Sequence, residues 1–213
     1  MRGLSSPPTD VEARTAEEVL AEAVERFHPR LALACSFQKE ESVLLHMLMR
    51  LRPDARVFTI DTGVLFPETR DTWRAAEERY GVQVEVFDAL DPDGEPWTAE
   101  HCCSVQKVAA LERVLGGLDA WITGLRREQA ATRADAPKLG WDEPHGLWKV
   151  NPLADWSDRD VWRFISEHDL PYNPLHDQGY ESIGCAPCTR PGSGREGRWA
   201  GQERTECGLH GEG

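Results

Sequence analysis

Of the six cysteines in this 213-residue chain, four form two tight sets, Cys102-Cys103 and Cys185-Ala186-Pro187-Cys188, while Cys207 stands alone near the end. Four thiolates can hold an inorganic centre, and a fifth can do separate chemistry. Adjacent cysteines are awkward ligands for one tetrahedral zinc, whose four Zn–S bonds of about 2.3 Å must converge on a point. A cubane iron–sulfur cluster offers each thiolate its own iron, so sequence neighbours can reach different corners of one Cys₄ centre. Cys102, Cys103, Cys185 and Cys188 therefore read as a [4Fe–4S] site first, one cluster per chain, and as a zinc site second. Ligands roughly 80 residues apart would make metal binding part of folding.

Those side chains need a scaffold, and apolar β-rich runs alternate with helical patterns along the chain. Thr15-Ala-Glu-Glu18 resembles a capping box opening a helix to about Phe27. A buried strand over 30–35 precedes a helix over 40–51. A strand over 55–60 precedes a helix over 67–80 that Gly81 closes. Strands near 82–87 and 119–123 bracket a helix from about Ser104 to Leu115, and Ser157-Asp-Arg-Asp160 caps a helix reaching about His168. This alternation predicts an α/β fold, a mainly parallel sheet flanked by helices. After Pro171 the periodicity fades. One domain is expected over 1–190, followed over 191–213 by a mobile C-terminal arm, rich in glycine and charge, that carries Cys207.

In open α/β sheets ligands gather beyond the carboxyl ends of the strands. The loops Cys35-Ser36-Phe37-Gln38-Lys39-Glu40-Glu41-Ser42, Asp61-Thr62-Gly63 and Thr123-Gly124-Leu125-Arg126-Arg127 should therefore converge on one cleft able to hold an adenylate. The first loop joins a strand to a helix, where free backbone N–H groups favour a phosphate or sulfate oxygen. It is not a Walker A loop, because no G-x-x-x-x-G-K-[ST] occurs. Alone it is better read as a plain strand–helix turn.

Composition narrows the classes. The 24 basic and 37 acidic side chains give a formal charge of −13, which argues against broad nucleic-acid binding. No apolar run approaches the roughly 20 residues that span a bilayer, and the first residues lack a signal peptide's apolar stretch. No membrane association is expected. The expected location is the cytoplasm, where clustered cysteines serve metal or redox chemistry more than disulfides.

Jointly, residues 36–42, Asp61-Thr62-Gly63, Cys102-Cys103, Thr123-Gly124-Leu125-Arg126-Arg127-Glu128-Gln129 with Thr132-Arg133, Cys185-x-x-Cys188 and Glu206-Cys207-Gly208-Leu209-His210 resemble the assimilatory sulfonucleotide reductases. That family has the adenine nucleotide α-hydrolase-like fold, and the resemblance runs from about residue 30 to 210. The paired cysteine motifs look like those of its iron–sulfur branch, whose usual substrate is adenosine 5′-phosphosulfate (APS). The resemblance implies thioredoxin-dependent reduction of APS to sulfite and AMP, with glutaredoxin as substitute dithiol and the 3′-phosphorylated nucleotide (PAPS), or both nucleotides, as the alternative. Cys207 would be the nucleophile and form an S-sulfocysteine. By family analogy Lys107 links cluster and substrate, Arg133 contacts the nucleotide anion, and Arg195 with Arg198 closes over it, on one face if that segment is helical. Ser36, Gln38, Thr62 and Gly124 match loop positions around substrate, and His210 contacts substrate or positions the tail. The cluster's implied role is electrostatic and organising. A homo-oligomer is left open.

Plainer readings stand beside these. Arg126 and Arg127 read as one inward and one solvated residue, Cys35 as a buried hydrophobe without a catalytic role, and Trp73, Trp156 and Trp162 as core anchors. Lys107 alone would be a solvated helix residue. His101 could ligate metal, but a full Cys₄ set makes that unnecessary. Two other classes remain: an ATP-dependent adenylating or thiolation enzyme, which would carry a Ser-Gly-Gly-x-Asp-Ser loop instead of residues 36–42, and a zinc-stabilised binding module, which leaves Cys207 unexplained.

Overall fold

The computed structural model describes residues 10–98 and 100–199. Its centre is β1 (Leu31–Ala34), short and apolar, whose alternating side chains feed both faces of a sheet. Leu31 and Leu33 join one core cluster, and Ala32 joins the other. Beside β1 lie β2 (Arg56–Asp61) and then β3 (Glu85–Asp88) on one side, and β4 (Ala120–Ile122), β6 (Leu147–Val150) and β5 (Leu139–Asp142) on the other. All neighbours run parallel except β5 against β6. Because the chain leaves β1 toward β2 but later returns to its opposite edge as β4, the loops after β1 and β4 diverge. The crevice between them is where open α/β sheets take ligands.

Helices cover both faces. The helix α1 (Ala16–Phe27) starts at Thr15, whose hydroxyl accepts from Glu18 N–H while Glu18 returns a bond to the Thr15 amide. Every residue of α2 (Lys39–Leu51) from Lys39 to Met49 is buried, polar ones included. α3 (Pro67–Tyr80) begins on proline and ends at Gly81 with φ of 63°, a left-handed cap that glycine adopts without strain. On the opposite face, α4 (Ser104–Leu115) supplies Leu111, Val114 and Leu115 to a cluster with Phe58 and Trp121. Ser157 and Asp160 form the capping box of α5 (Asp158–Glu167).

The strands and helices follow the expected order, with one omission. The hairpin of β5 and β6 is absent from the sequence reading, although Leu-Gly-Trp-Asp and Leu-Trp-Lys-Val alternate around a turn ending at Gly146, φ 67°. Residues 191–199, within the expected C-terminal arm, are joined to the rest of the chain by backbone hydrogen bonds. Gly192 N–H donates to Gly179 C=O at 2.9 Å, Arg190 N–H to Gly197 C=O at 2.8 Å and Trp199 N–H to Cys188 C=O at 2.9 Å, and Trp199 is buried. Glycine there permits close backbone approach: a Cβ on Gly192 would meet the Gly197 nitrogen at 2.9 Å. Residues 200–213, with Cys207 and His210, lie outside the described residues.

Candidate active site

A cavity of about 480 Å³ opens at the crevice between β1 and β4. Its walls include Ser36 and Gln38 from the loop after β1, Gly124 and Arg133 from the segment after β4, and Lys107, Arg195 and Arg198. Seven of the ten expected substrate or nucleophile positions thus share one cavity. Of the other three, Thr62 points elsewhere and Cys207 and His210 are not among the described residues.

The loop after β1 is held in a demanding conformation. Phe37 has φ of 58°, uncommon for a bulky residue, and its ring stacks on Trp73 at 5.4 Å. Ser36 Oγ donates to Glu41 Oε2 at 2.9 Å, and Gln38 N–H donates to the same oxygen at 3.3 Å. Gln38 is more committed than a substrate ligand would be. Its Nε2 donates to Ser36 Oγ at 3.1 Å and its Oε1 accepts Ile183 N–H at 2.7 Å.

Beneath the loop lies an ion network the sequence did not reveal. Arg126, 4% exposed, donates through Nε to Glu40 Oε1 at 3.0 Å and through Nη2 to Asp158 Oδ1 at 2.9 Å. Lys39 is paired with Asp158 as well, so the loop's lysine is spent inside the protein. Arg127 faces outward to Glu12, the inward and outward split expected of the pair. Gly124 is required for close approach: a Cβ there would meet Glu40 Cβ at 2.8 Å and collide with Glu41 Oε1.

Burial, and then neighbouring Glu40, push the Glu41 carboxyl up to about 8 from 4.5. Between those values the native state holds a proton that the unfolded chain has released. Glu41's contribution to stability is therefore complete below 4.5 and lost as pH rises to about 8. Glu41→Gln keeps an oxygen for Ser36 and Gln38 and should flatten the decline, as measured by urea unfolding across that window. An unaltered pH slope would mean that Glu41 is ionised in the native protein.

The cysteines meet at the cavity's edge. Cys103 immediately precedes α4, so Lys107 lies one turn on, its N–H bonded to Cys103 C=O at 2.8 Å. Cys185 is fixed by a bridge to Leu65, and Ala186 N–H donates to Val64 C=O at 2.9 Å. Cys103 Sγ and Cys185 Sγ lie 3.7 Å apart, 82 residues apart in sequence, and Cys102 interacts with Cys188. Their mutual hydrogen bond draws Cys185 down to about 5 and drives Cys103 up. Lys107, Thr62 and Arg198 also favour the Cys185 thiolate. Burial, followed by the neighbouring sulfurs, pushes Cys188 up to about 11.

Thr62 is buried, and its hydroxyl meets Cys185 Sγ at 3.4 Å; it serves the cysteines, which the Asp-Thr-Gly loop motif alone could not reveal. Cys35 is buried with its thiol pushed well up, first by burial and then by Glu41, as a non-catalytic residue should be. His101 pairs with Asp91 at 3.2 Å. Trp73, Trp156 and Trp162 pack on the main core. Residues 191–199 are turns and bridges, not a helix, yet Arg195 and Arg198 both lie over the Trp199 ring, at 5.5 and 4.5 Å.

Among the described residues no group of three or more His, Cys, Asp or Glu is arranged to hold a metal ion. The donor chemistry nevertheless fits a Cys₄ centre: four thiols from two segments meet in two pairs, all free of disulfides. The charges of Lys107 and Arg198 act on those sulfurs, offsetting the negative charge that four thiolates would gather.

A model of the phosphoadenosine phosphosulfate reductase domain family matches residues 30–191. The adenosine 5′-phosphosulfate reductase of Salinibacter ruber is 43% identical over 207 residues, covering 90% of this chain and 82% of that protein. The phosphoadenosine 5′-phosphosulfate reductase of Gloeobacter violaceus is 42% identical over 214 residues, covering 91% and 88%. The crystal structure of phosphoadenylyl-sulfate reductase from Candida auris, a phosphate complex, has a TM-score of 0.70 at 28% identity, covering 86% of this chain and 98% of that one.

Proposed function

The chain belongs to the phosphoadenosine phosphosulfate reductase domain family, and from that premise we propose that it reduces APS to sulfite and AMP with electrons from thioredoxin, in assimilatory sulfate reduction. The observation that carries the reading is the meeting of the two cysteine pairs beside the nucleotide-sized cavity, with Lys107 bordering both.

In the proposed reaction the Cys207 thiolate attacks the sulfuryl sulfur of APS. The S–O bond to the phosphate breaks, AMP leaves with that electron pair, and Cys207 becomes an S-sulfocysteine. A thioredoxin thiolate then attacks the Cys207 sulfur, sulfite departs with the S–S bonding electrons, and the partner's second thiol resolves the mixed disulfide. The dithiol thus supplies both electrons. An anionic nucleophile approaching an anionic sulfuryl group needs cations. Lys107, Arg133, Arg195 and Arg198 line the cavity and would supply that charge, while Ser36 and Gly124 would shape the nucleotide wall and His210 would contact substrate or position the tail. Cys102, Cys103, Cys185 and Cys188 would hold one [4Fe–4S] cluster, which when bound supplies a fixed local charge and ties the two segments together.

Among the described residues no helix is long and apolar enough to cross a membrane; the cytoplasmic location is part of the proposal. Family membership disfavours the ATP-using alternative. The reading is tested by sulfite release from anaerobically purified protein with thioredoxin, comparing APS with PAPS, alongside iron and sulfide analysis. Preference for APS with about four irons per chain is expected. Preference for PAPS would reverse the substrate assignment. Zinc without iron or sulfide would refute the cluster, and no sulfite from either nucleotide in iron-loaded protein would refute the reductase.

A further inference from the structure

Arg198 is a firmly held cation of the cavity wall. It is 8% exposed, its Nη1 donates to Ile183 C=O at 3.2 Å and to Ser182 Oγ at 3.3 Å, and its guanidinium lies over the Trp199 ring. Its Nε is buried without a hydrogen-bond partner among the described residues. The guanidinium occupies the space a side chain at Gly184 would fill. A Cβ built there would stand 2.5 Å from Arg198 Cζ and collide with Nη2. Gly184 has no positive φ, so its backbone does not demand glycine. The preceding Ser182–Ile183 peptide is held as well, because Ile183 N–H donates to Gln38 Oε1 on the nucleotide loop.

We propose that Gly184 is a positioning residue whose missing side chain seats the Arg198 guanidinium at the cavity wall, with Gln38 bracing the Ser182–Ile183 peptide that leads into the seat. The proposal deepens the reductase reading and rests on it for its kinetic arm. The atoms that an added methyl would strike belong to the far end of a flexible side chain. Gly184→Ala should therefore fold and respond by moving Arg198. Displacing a cation that faces developing charge by about 1 Å is enough for a loss of roughly 100-fold.

The test is a double-mutant cycle. Gly184→Ala should lower kcat/KM for sulfite release by roughly 100-fold, and adding it to Arg198→Ala should cause no further loss, since a residue acting only through Arg198 has nothing left to disturb. Gln38→Leu should lower the same parameter less, and Gln38→Glu, which keeps an acceptor for Ile183 N–H, should restore part of it. Losses that multiply in the double variant, or a silent Gly184→Ala beside an impaired Arg198→Ala, would overturn the proposal. Hydrogen exchange of residues 180–199 is the readout independent of turnover: Gly184→Ala should raise it as much as Arg198→Ala does. Unchanged exchange in Gly184→Ala overturns the seat whether or not sulfite is made. A wild-type protein that makes none refutes the reductase reading instead, and exchange alone then decides the seat.

Discussion

Cys207→Ser should lower sulfite release from APS by about a thousandfold or more, the scale on which enzymes lose rate when a covalent nucleophile is removed. Two steps fail together. A serine hydroxyl is barely ionised near neutrality, whereas a thiol beside cations is readily deprotonated. Any O-sulfoserine that formed would also give the partner dithiol no sulfur to attack, so turnover would stop even if transfer occurred. Nucleotide binding and iron content should be retained, because the cavity and the four paired cysteines are built from other residues. Isothermal titration with AMP, iron analysis and a search for the S-sulfo adduct by mass spectrometry separate these outcomes. Undiminished sulfite release would remove Cys207 from the mechanism, and loss of iron would move it into the ligand set.

The second large effect concerns stability. Arg126→Met should destabilise the protein by about 3–5 kcal/mol, the usual result of leaving a buried charge without its partner. That is a large part of the roughly 5–15 kcal/mol that holds a domain together. The loss is not shared equally between the two carboxylates. Asp158 has a side chain 44% exposed and keeps Lys39, so water and that ammonium compensate it. Glu40, with 6% side-chain exposure, keeps a neutral donor, the Gln129 amide at 3.1 Å, but no cation. Pairing Arg126→Met with Glu40→Gln should therefore recover much of the stability, and Arg126→Lys should fall between, lacking the planar fork that reaches both acids. Urea unfolding of the variants is the check. A loss below about 1 kcal/mol, as for a surface pair, would show that the network is not a structural support.

What could be read from sequence followed the range of the interactions. The start of α1 at Thr15, the stop of α3 at Gly81 and the extent of α4 are set by caps and periodicities within a few residues, and these matched. The cavity was foreseeable because strand-end loops in this topology must converge. The Arg126–Glu40–Asp158 network joins positions 86 and 32 residues apart, with no periodicity to announce it. Thr62 and Gln38 illustrate another gap. A motif states that a hydroxyl or an amide is near the site, but only the folded chain determines whether it faces the cavity, Cys185 or Ile183. The turns after residue 190 were not legible because glycine is equally suited to mobile segments and to tightly stitched ones.

The distance along the chain between the two cysteine sets sets a clock for biogenesis. Synthesis advances at about 5–20 residues per second. The 82 residues between Cys103 and Cys185 therefore separate their emergence by roughly 4–16 seconds. During that interval the first pair has none of its later partners. Any centre the four thiols hold must be installed after most of the chain has left the ribosome, and during the wait Cys102 and Cys103 are exposed to whatever oxidants and stray metals the cell contains.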